Sequence, residues 1–111
     1  MNYKIHITKT AETDLNTAID YIEFTLLNPQ AADNLLDKTV EAINKLSYMP
    51  QIHSLVEDSV LNAWGIRFIV INNYITFFTI DEQLKTVYIL RYIYGKRNWI
   101  EILKSEPLSI E

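Results

Sequence analysis

The sequence predicts an α+β fold, in which a helical hairpin packs on a twisted antiparallel sheet in the element order β-α-α-β-β-β. Two segments with helical apolar periodicity follow a short alternating strand. Three β-rich segments with short turns between them come next, as in an antiparallel meander. A chain of 111 residues, 49% of them hydrophobic, accommodates one such domain over residues 1–111.

The first half of the chain predicts one strand and two helices. Residues 3–7 alternate between apolar and polar side chains, as a half-buried strand does. Thr8 and Thr10 offer N-cap hydroxyls to a helix predicted over residues 11–26. Asn28-Pro29 combines an N-cap with the residue favoured at the first helical position, and predicts a second helix over residues 29–46. The connection is so short that the two helices must form a hairpin.

The second half predicts the meander and a closing helix. Residues 51–63 indicate a loop with at most one short strand. Asn72-Asn73 suits a tight hairpin turn, because asparagine tolerates positive φ angles. The three strands and the short C-terminal helix are predicted at residues 66–71, 74–80, 86–94 and 98–104. The residues after this helix are expected to fray.

Strict alternation along the last strand predicts which side chains share a face. One face is predicted to carry Val87, Ile89, Arg91 and Ile93, and the other Tyr88, Leu90, Tyr92 and Tyr94. Most of the aromatic residues in the sheet are expected to be core. Tyr94 and Trp99 are the exceptions, because they flank the segment Gly95-Lys96-Arg97.

Charge is distributed unevenly along the chain. The formal net charge is -4, yet residues 83–100 contain no acid and hold Lys85, Arg91, Lys96 and Arg97. This pattern predicts a local site for an anion or an acidic partner surface, or alternatively a strand end protected by solvated cations. An acidic protein is unsuited to sequence-independent binding of duplex DNA.

Arg67 is the other cation of interest, because it lies within an apolar strand and is costly to desolvate there. It is expected either to reach water at the strand end or to pair with Glu57 or Asp58. The third possibility is a functional pair with Arg97.

Several classes of site are excluded or unsupported by the composition. The chain has no cysteine, which rules out disulfides and thiolate metal sites, and we expect no metal and no cofactor. No apolar run approaches the roughly 18 residues of a membrane span. The opening residues contain no signal-peptide core, so a soluble cytoplasmic protein without a membrane partner is expected.

The chain resembles the RelE/ParE superfamily of toxins from bacterial type II toxin–antitoxin modules. The resemblance runs in order from about residue 3 to residue 103. It rests on TKTAETDL at residues 8–15, Asn28-Pro29-Gln30-Ala31-Ala32, Met49-Pro50, Gly65-Ile66-Arg67, Asn73-Tyr74 with Phe78, and ILRYIYGKRNW at residues 89–99.

The resemblance implies a growth-inhibiting toxin that is neutralised by a cognate antitoxin encoded beside it. RelE-like members cut messenger RNA on the ribosome, whereas ParE-like members inhibit DNA gyrase. Arg67 and Arg97 match the two arginines that contact the phosphate in the nuclease branch. The lysines that such nucleases carry before the Gly-x-Arg strand are missing here, and no catalytic Tyr or His follows Arg97. His53 and Tyr94 are the substitutes that the sequence offers.

We therefore favour a ParE-like toxin that acts by binding, with DNA gyrase as the expected target. The residues expected to bind the target are Arg67, Arg91, Tyr94, Lys96, Arg97 and Trp99. The first alternative is a ribosome-dependent mRNA endoribonuclease that uses Arg67 and Arg97 with Tyr94 or His53. The second is a degenerate toxin that only binds its antitoxin as a corepressor. Operator DNA is expected as a partner only through the antitoxin, whose C-terminal segment is expected in an apolar groove beside the hairpin and the sheet.

Overall fold

The chain folds into one four-stranded sheet with helices on both of its faces. The structure, a computed structural model, describes residues 2–105. The strands are β1 Lys4–Ile7, β2 Arg67–Ile71, β3 Tyr74–Asp81 and β4 Thr86–Tyr94. The helices are α1 Lys9–Asp20, α2 Pro29–Lys45, α3 Ser59–Ala63 and α4 Trp99–Ser105, with a π-helical segment at Tyr21–Thr25 and a 3₁₀ turn at Pro50–Ile52. The predicted fraying concerns residues 106–111, which lie outside the described part.

The predicted α+β arrangement is confirmed, with one correction to the sheet. The strand order is β1-β4-β3-β2, and the β2–β3 and β3–β4 pairs are antiparallel as predicted. β1 instead pairs in parallel with β4, from Lys4 opposite Thr86 to Ile7 opposite Ile89. The helical hairpin that follows β1 is the long crossover that a parallel pairing requires. The sheet is therefore mixed, not wholly antiparallel.

Side-chain caps begin both long helices, and of the two threonines predicted as N-caps it is Thr8 that caps α1, which starts at Lys9. Thr8 Oγ1 accepts a hydrogen bond from the backbone N–H of Ala11 at 3.2 Å and donates one to the Ile89 carbonyl at 2.8 Å. The same hydroxyl thus caps α1 and ties it to β4. Asn28 Oδ1 accepts from the N–H of Ala31 at 3.1 Å and caps α2.

The turn between the two long helices departs from regular α-helix. The predicted first helix reaches residue 20 in α geometry and continues in the π-helical segment, where the N–H of Leu26 donates to the Tyr21 carbonyl at 3.0 Å. Leu27 then adopts a left-handed conformation with φ 54°. This reversal lets Asn28 begin α2 and closes the hairpin.

A β-bulge in β4 overturns the predicted alternation of its side chains. Phe77 lies opposite Arg91 and Phe78 opposite Ile89, which leaves Leu90 as an extra residue on β4. Before the bulge, Ile89 packs beneath the hairpin as predicted. After it, Tyr92 packs beneath the hairpin while Ile93 joins the core on the opposite face. The assignment of Ile93 to the face of Ile89 was wrong for this reason.

Residues 51–63 form more helix than the sequence suggests. They contain most of the 3₁₀ turn and all of α3, and their only strand-like contact is a bridge between Leu55 and Arg67. Asp58 begins α3, since its Oδ2 accepts from the N–H groups of Val60 at 3.2 Å and Leu61 at 3.1 Å. α3 and α4 cover the sheet face opposite the hairpin, over a core centred on Phe77 and Leu103. Among residues 2–105, every helix is too short or too polar to cross a membrane.

Candidate target-binding groove

An open groove of about 640 Å³ lies between the end of the hairpin and the end of the sheet where β3 begins and β4 finishes. The hairpin contributes the wall that includes Tyr21 and Leu26. The sheet contributes Tyr74, Tyr92 and Tyr94, with Arg97 at the chain segment that follows β4. We refer to this cavity as the groove. Four tyrosines and one exposed cation, Arg97, are among the residues that line it.

The sheet side of the groove is a wall of packed tyrosine rings. Tyr74 and Tyr92 stack with centroids 5.0 Å apart and an interplanar angle of 6°. Tyr94 meets Tyr74 edge-on at 5.4 Å. Burial raises the pKa of Tyr92 to about 12, and its hydroxyl is 3.0 Å from Thr39 Oγ1. Burial also raises the pKa of Tyr74 above its ordinary value. Both phenols stay protonated near pH 7 and can donate hydrogen bonds.

Arg91 lies beneath the groove and not in it, which corrects its predicted role as a target contact. The bulge directs its side chain towards α1, and the residue is only 8% exposed. Its guanidinium donates to Asp14 through Nε at 2.7 Å and Nη2 at 3.2 Å. Asp14 Oδ2 also accepts the backbone N–H of Tyr92 at 3.0 Å. This charge is therefore part of the support for the tyrosine wall.

Lys96 and Arg97 are exposed where the chain leaves β4, next to the groove. Their position depends on Gly95, whose N–H donates to the Asn73 carbonyl at 2.7 Å. A Cβ atom on Gly95 would lie only 3.2 Å from that same carbonyl oxygen, so a larger residue would push the strand end away from the asparagine turn. The N–H of Arg97 donates to the Tyr94 carbonyl at 3.0 Å, which fixes the turn that carries both cations.

Arg67 is not brought together with Arg97. It lies opposite Phe78 at the start of β2, whereas the groove is next to Tyr74, four residues away along β3. Four residues of extended strand span roughly 13 Å. Its Nη1 donates to the carbonyls of Gln51 at 3.1 Å and His53 at 2.6 Å. Arg67 therefore holds the loop that precedes α3.

The predicted ion pair of Arg67 is also absent from the described residues, where Glu57 and Asp58 form no salt bridge with it. Asp58 instead pairs with Lys104 at 3.0 Å. His53 lies beside Arg67, with its ring edge-on to Phe78 at 6.0 Å, and is therefore several residues along β3 from Tyr74, the partner of Tyr94.

Trp99 and Tyr94 lie on opposite faces of the sheet, although they flank the same short segment. Trp99 begins α4 and packs on Phe77 with centroids 5.2 Å apart, in the core beneath α3 and α4. Tyr94 lines the groove on the hairpin side. Of the residues predicted to bind a target, the structure thus places Tyr94, Lys96 and Arg97 together and separates Arg67 and Trp99 from them.

Sequence reasoning missed the hairpin side of the groove. Tyr74 and Tyr92 were assigned to the core, which they also join, and Tyr21 was not singled out. The available signal was Tyr21 itself, a bulky aromatic close to the end of a helix whose apolar stripe is aliphatic.

Comparison with known proteins identifies the class. Two solved structures share the fold at low sequence identity. The chromosomal ParDE toxin–antitoxin system from P. aeruginosa gives a TM-score of 0.69 at 19% identity, covering 85% of this chain and 97% of that chain. The RelBE2 toxin–antitoxin complex from Mycobacterium tuberculosis gives a TM-score of 0.57 at 22% identity, covering 85% of this chain and 99% of that chain. No curated protein matches in sequence.

The fold is thus that of RelE/ParE-type toxins from type II toxin–antitoxin systems. A sequence model of the ParE toxin of the type II system parDE matches residues 5–99. The chain belongs to this ParE toxin family, as the resemblance predicted.

Proposed function

We propose that this toxin inhibits growth by binding DNA gyrase, and that Tyr94, Lys96 and Arg97 at the groove contribute to that contact. The observation that carries the proposal is the separation of Arg67 from Arg97. The match to the ParE family supports the same target.

Cleavage of RNA needs a base near the 2′-hydroxyl, an acid for the leaving oxygen and cations around one phosphate. Arg67 and His53 lie beside Phe78, in the middle of β3, whereas Tyr94 lies opposite Tyr74 at the end of the sheet and Arg97 just beyond it. Arg67 also directs Nη1 at two backbone carbonyls. In this arrangement the two arginines do not surround one phosphate, whereas a protein surface can be contacted by the Arg97 end alone.

Induction of the protein in cells tests the target. Plasmid supercoiling and primer extension on abundant messenger RNAs are followed in parallel over the first minutes. We expect relaxed or linearised plasmid, or replication arrest, with intact messages. Discrete codon-dependent cuts soon after induction would contradict gyrase binding and support the ribosome-dependent endoribonuclease. A protein expressed at the same level that affects neither plasmid nor messages would support the degenerate corepressor.

The antitoxin is proposed to bind a different surface from the groove. β2 is an edge strand, and its neighbour is a second cavity of about 760 Å³ between α2 and the sheet, with Tyr48, Ile52 and Phe68 in its lining. The first part of this edge is already paired, since the N–H of Phe68 donates to the Ser54 carbonyl at 3.2 Å. An extended antitoxin segment that adds a strand beyond Phe68 would pair the rest of the edge and cover these apolar side chains. Operator DNA would then be contacted through the antitoxin.

Co-expression with the adjacent small open reading frame tests this partner. The two proteins should co-elute at micromolar concentration and growth should recover. Separate elution of two folded proteins would contradict the proposed module.

A further inference from the structure

The end of the helical hairpin exposes four large apolar side chains. Leu27 is 80% exposed and Phe24 66%, and Tyr21 and Leu26 are each about half exposed. We call these four residues the tip. Two of them, Tyr21 and Leu26, also form the hairpin wall of the groove. The tip and Arg97 therefore lie on two sides of the same groove.

The backbone of the tip has two irregular features that do not add to the stability of the fold, a π-helical segment and a left-handed leucine. The π-helical segment inserts one residue beyond a regular helical turn, a feature often found where a helix presents functional side chains. Leu27 then takes φ 54°, which strains a residue with a branched side chain. Asn72 takes the same φ of 54° in the β2–β3 turn, where the side chain suits the conformation. Leu27 is exposed, so burial of its side chain does not offset the strain of this conformation.

The end of the hairpin that carries the tip holds charges of one sign, and the cation that lines the groove, Arg97, belongs to the segment after β4. Residues 10–37 contain six acids and neither Lys nor Arg. Asp14 is paired with Arg91, but Asp20 is exposed and Glu23 half-buried, one on each side of Tyr21. A second copy of this chain would bring acid against acid if two tips met. The complementary surface is an apolar pocket with basic side chains at its border.

We infer that the tip is a second contact of this toxin with its growth-essential target, and that it inserts into an apolar, basic-bordered pocket on that target protein. The inference rests on the proposed binding function, and it extends the contact surface from Lys96 and Arg97 across the groove to the hairpin. The cavity beside β2, proposed for the antitoxin, shares no lining residue with the groove or the tip and should remain available when the tip is altered.

The decisive variant is Leu27→Asn, because asparagine tolerates the left-handed conformation and removes the apolar side chain. We expect a melting temperature equal to or above that of the wild type and unchanged co-elution with the antitoxin. Toxicity, measured as the inducer concentration that halves the growth rate, should fall by about tenfold or more, as for a central interface side chain. Phe24→Ser keeps Leu27 and should give the same loss of toxicity. If Leu27→Asn melts at a lower temperature than the wild type, the toxicity of Phe24→Ser is the deciding result.

Matched controls lie at the β3–β4 turn. Lys85 has φ 48° and Leu84 is exposed there. Lys85→Asn places asparagine at another left-handed position, and Leu84→Ser removes another exposed apolar side chain, so both should keep full toxicity. The pair Asp20→Asn with Glu23→Gln should weaken toxicity, whereas Glu57→Gln, an exposed acid at the opposite sheet face, should not.

Three results would overturn the inference. The first is full toxicity in folded Leu27→Asn and Phe24→Ser. The second is loss of antitoxin binding together with toxicity, which would assign the tip to the antitoxin. The third is a wild-type dimer in sedimentation that these variants convert to monomer, which would assign the tip to a second copy. A wild-type protein without any toxicity is a different failure, because it contradicts the proposed function and removes the inference with it.

Discussion

Asp14 on α1 holds Arg91 on β4 through both oxygens of its carboxylate, at 2.7 Å to Nε and 3.2 Å to Nη2. The side chains are only 17% and 9% exposed, and the same carboxylate accepts the backbone N–H of Tyr92. A bidentate pair of this kind fixes orientation as well as distance. It joins the hairpin to the bulged strand directly beneath the tyrosine wall.

Removing one partner of this pair should destabilise the fold strongly. Arg91→Ala leaves a largely buried carboxylate without its cation, and we expect a loss of about 3 kcal/mol in the free energy of unfolding. Urea denaturation measures the change. The control is Glu41→Gln, which breaks the exposed pair with Lys45 and should cost at most about 0.5 kcal/mol. Equal losses of unfolding free energy in the two variants would show that the buried pair contributes no more to stability than the exposed one.

The two arginines that the sequence singled out should separate in their effects. Arg97→Ala removes an exposed cation at the groove, so it should abolish toxicity while the free energy of unfolding changes by less than about 0.5 kcal/mol. Arg67→Ala should instead lower stability by about 1–3 kcal/mol, because it removes hydrogen bonds from a charged group to two carbonyls. Growth assays and melting curves on both variants are the measurement.

Lysine should not fully rescue Arg97, because it lacks the planar fork that binds a carboxylate or phosphate through two donors. Full toxicity in Arg97→Ala would remove the cationic end from the target contact.

A buried hydroxyl beneath the hairpin offers a stabilising change. Thr76 is fully buried, and its Oγ1 has no hydrogen-bond partner within the described residues. Thr76→Val replaces that hydroxyl with a methyl group and should be neutral or raise the free energy of unfolding by about 1 kcal/mol. Thr39→Val is the matched control, because it removes the contact with the Tyr92 hydroxyl and should cost about 1 kcal/mol. Destabilisation by both variants would indicate that Thr76 has a partner, such as a buried water.

Acid should weaken the fold through two carboxylates. The hydroxyl of Tyr3 and then the amide of Gln51 hold the pKa of Glu82 below its ordinary value of 4.5. The N–H of Leu61 and then Lys104 hold the pKa of Asp58 below 3.8. Because both pKa values are lower in the folded state, the stability they contribute is complete above the ordinary values and is lost as the pH falls through the folded ones.

The measurement is thermal unfolding from pH 7 downwards for the wild type and for Glu82→Gln. The difference between the two should be constant above pH 4.5 and shrink below it. A difference that stays constant through acid pH would show that the Tyr3–Glu82 contact does not depend on the charge of the carboxylate.

Local signals were enough to predict most of the fold. The caps at Thr8 and Asn28, the helical periodicity and the asparagine turn each act over a few residues, and the structure contains all of them. The long helical crossover after β1 also excluded a hairpin with the next strand, but nothing local identified β4 as the parallel partner of β1. The Asp58-Ser59 start of α3 was a readable N-cap within the segment predicted to be loop.

The site could be predicted only in part, because its geometry depends on the bulge at Leu90. Neither side of the bulge contains a glycine, so strict alternation was the natural expectation for β4. The bulge takes Arg91 out of the predicted contact set and brings Tyr92 beneath the hairpin. The distance between Arg67 and Arg97 depends in the same way on register between strands, which local sequence does not specify.

The most direct test of the binding account is supercoiling by purified DNA gyrase in the presence of this protein. Relaxed plasmid, ATP and gyrase are incubated with increasing toxin, with Arg97→Ala and Leu84→Ser as paired variants. We expect inhibition or trapped cleavage by the wild type and by Leu84→Ser, its relief on addition of the antitoxin, and little effect from Arg97→Ala. Undiminished supercoiling at toxin concentrations far above that of gyrase would contradict the account.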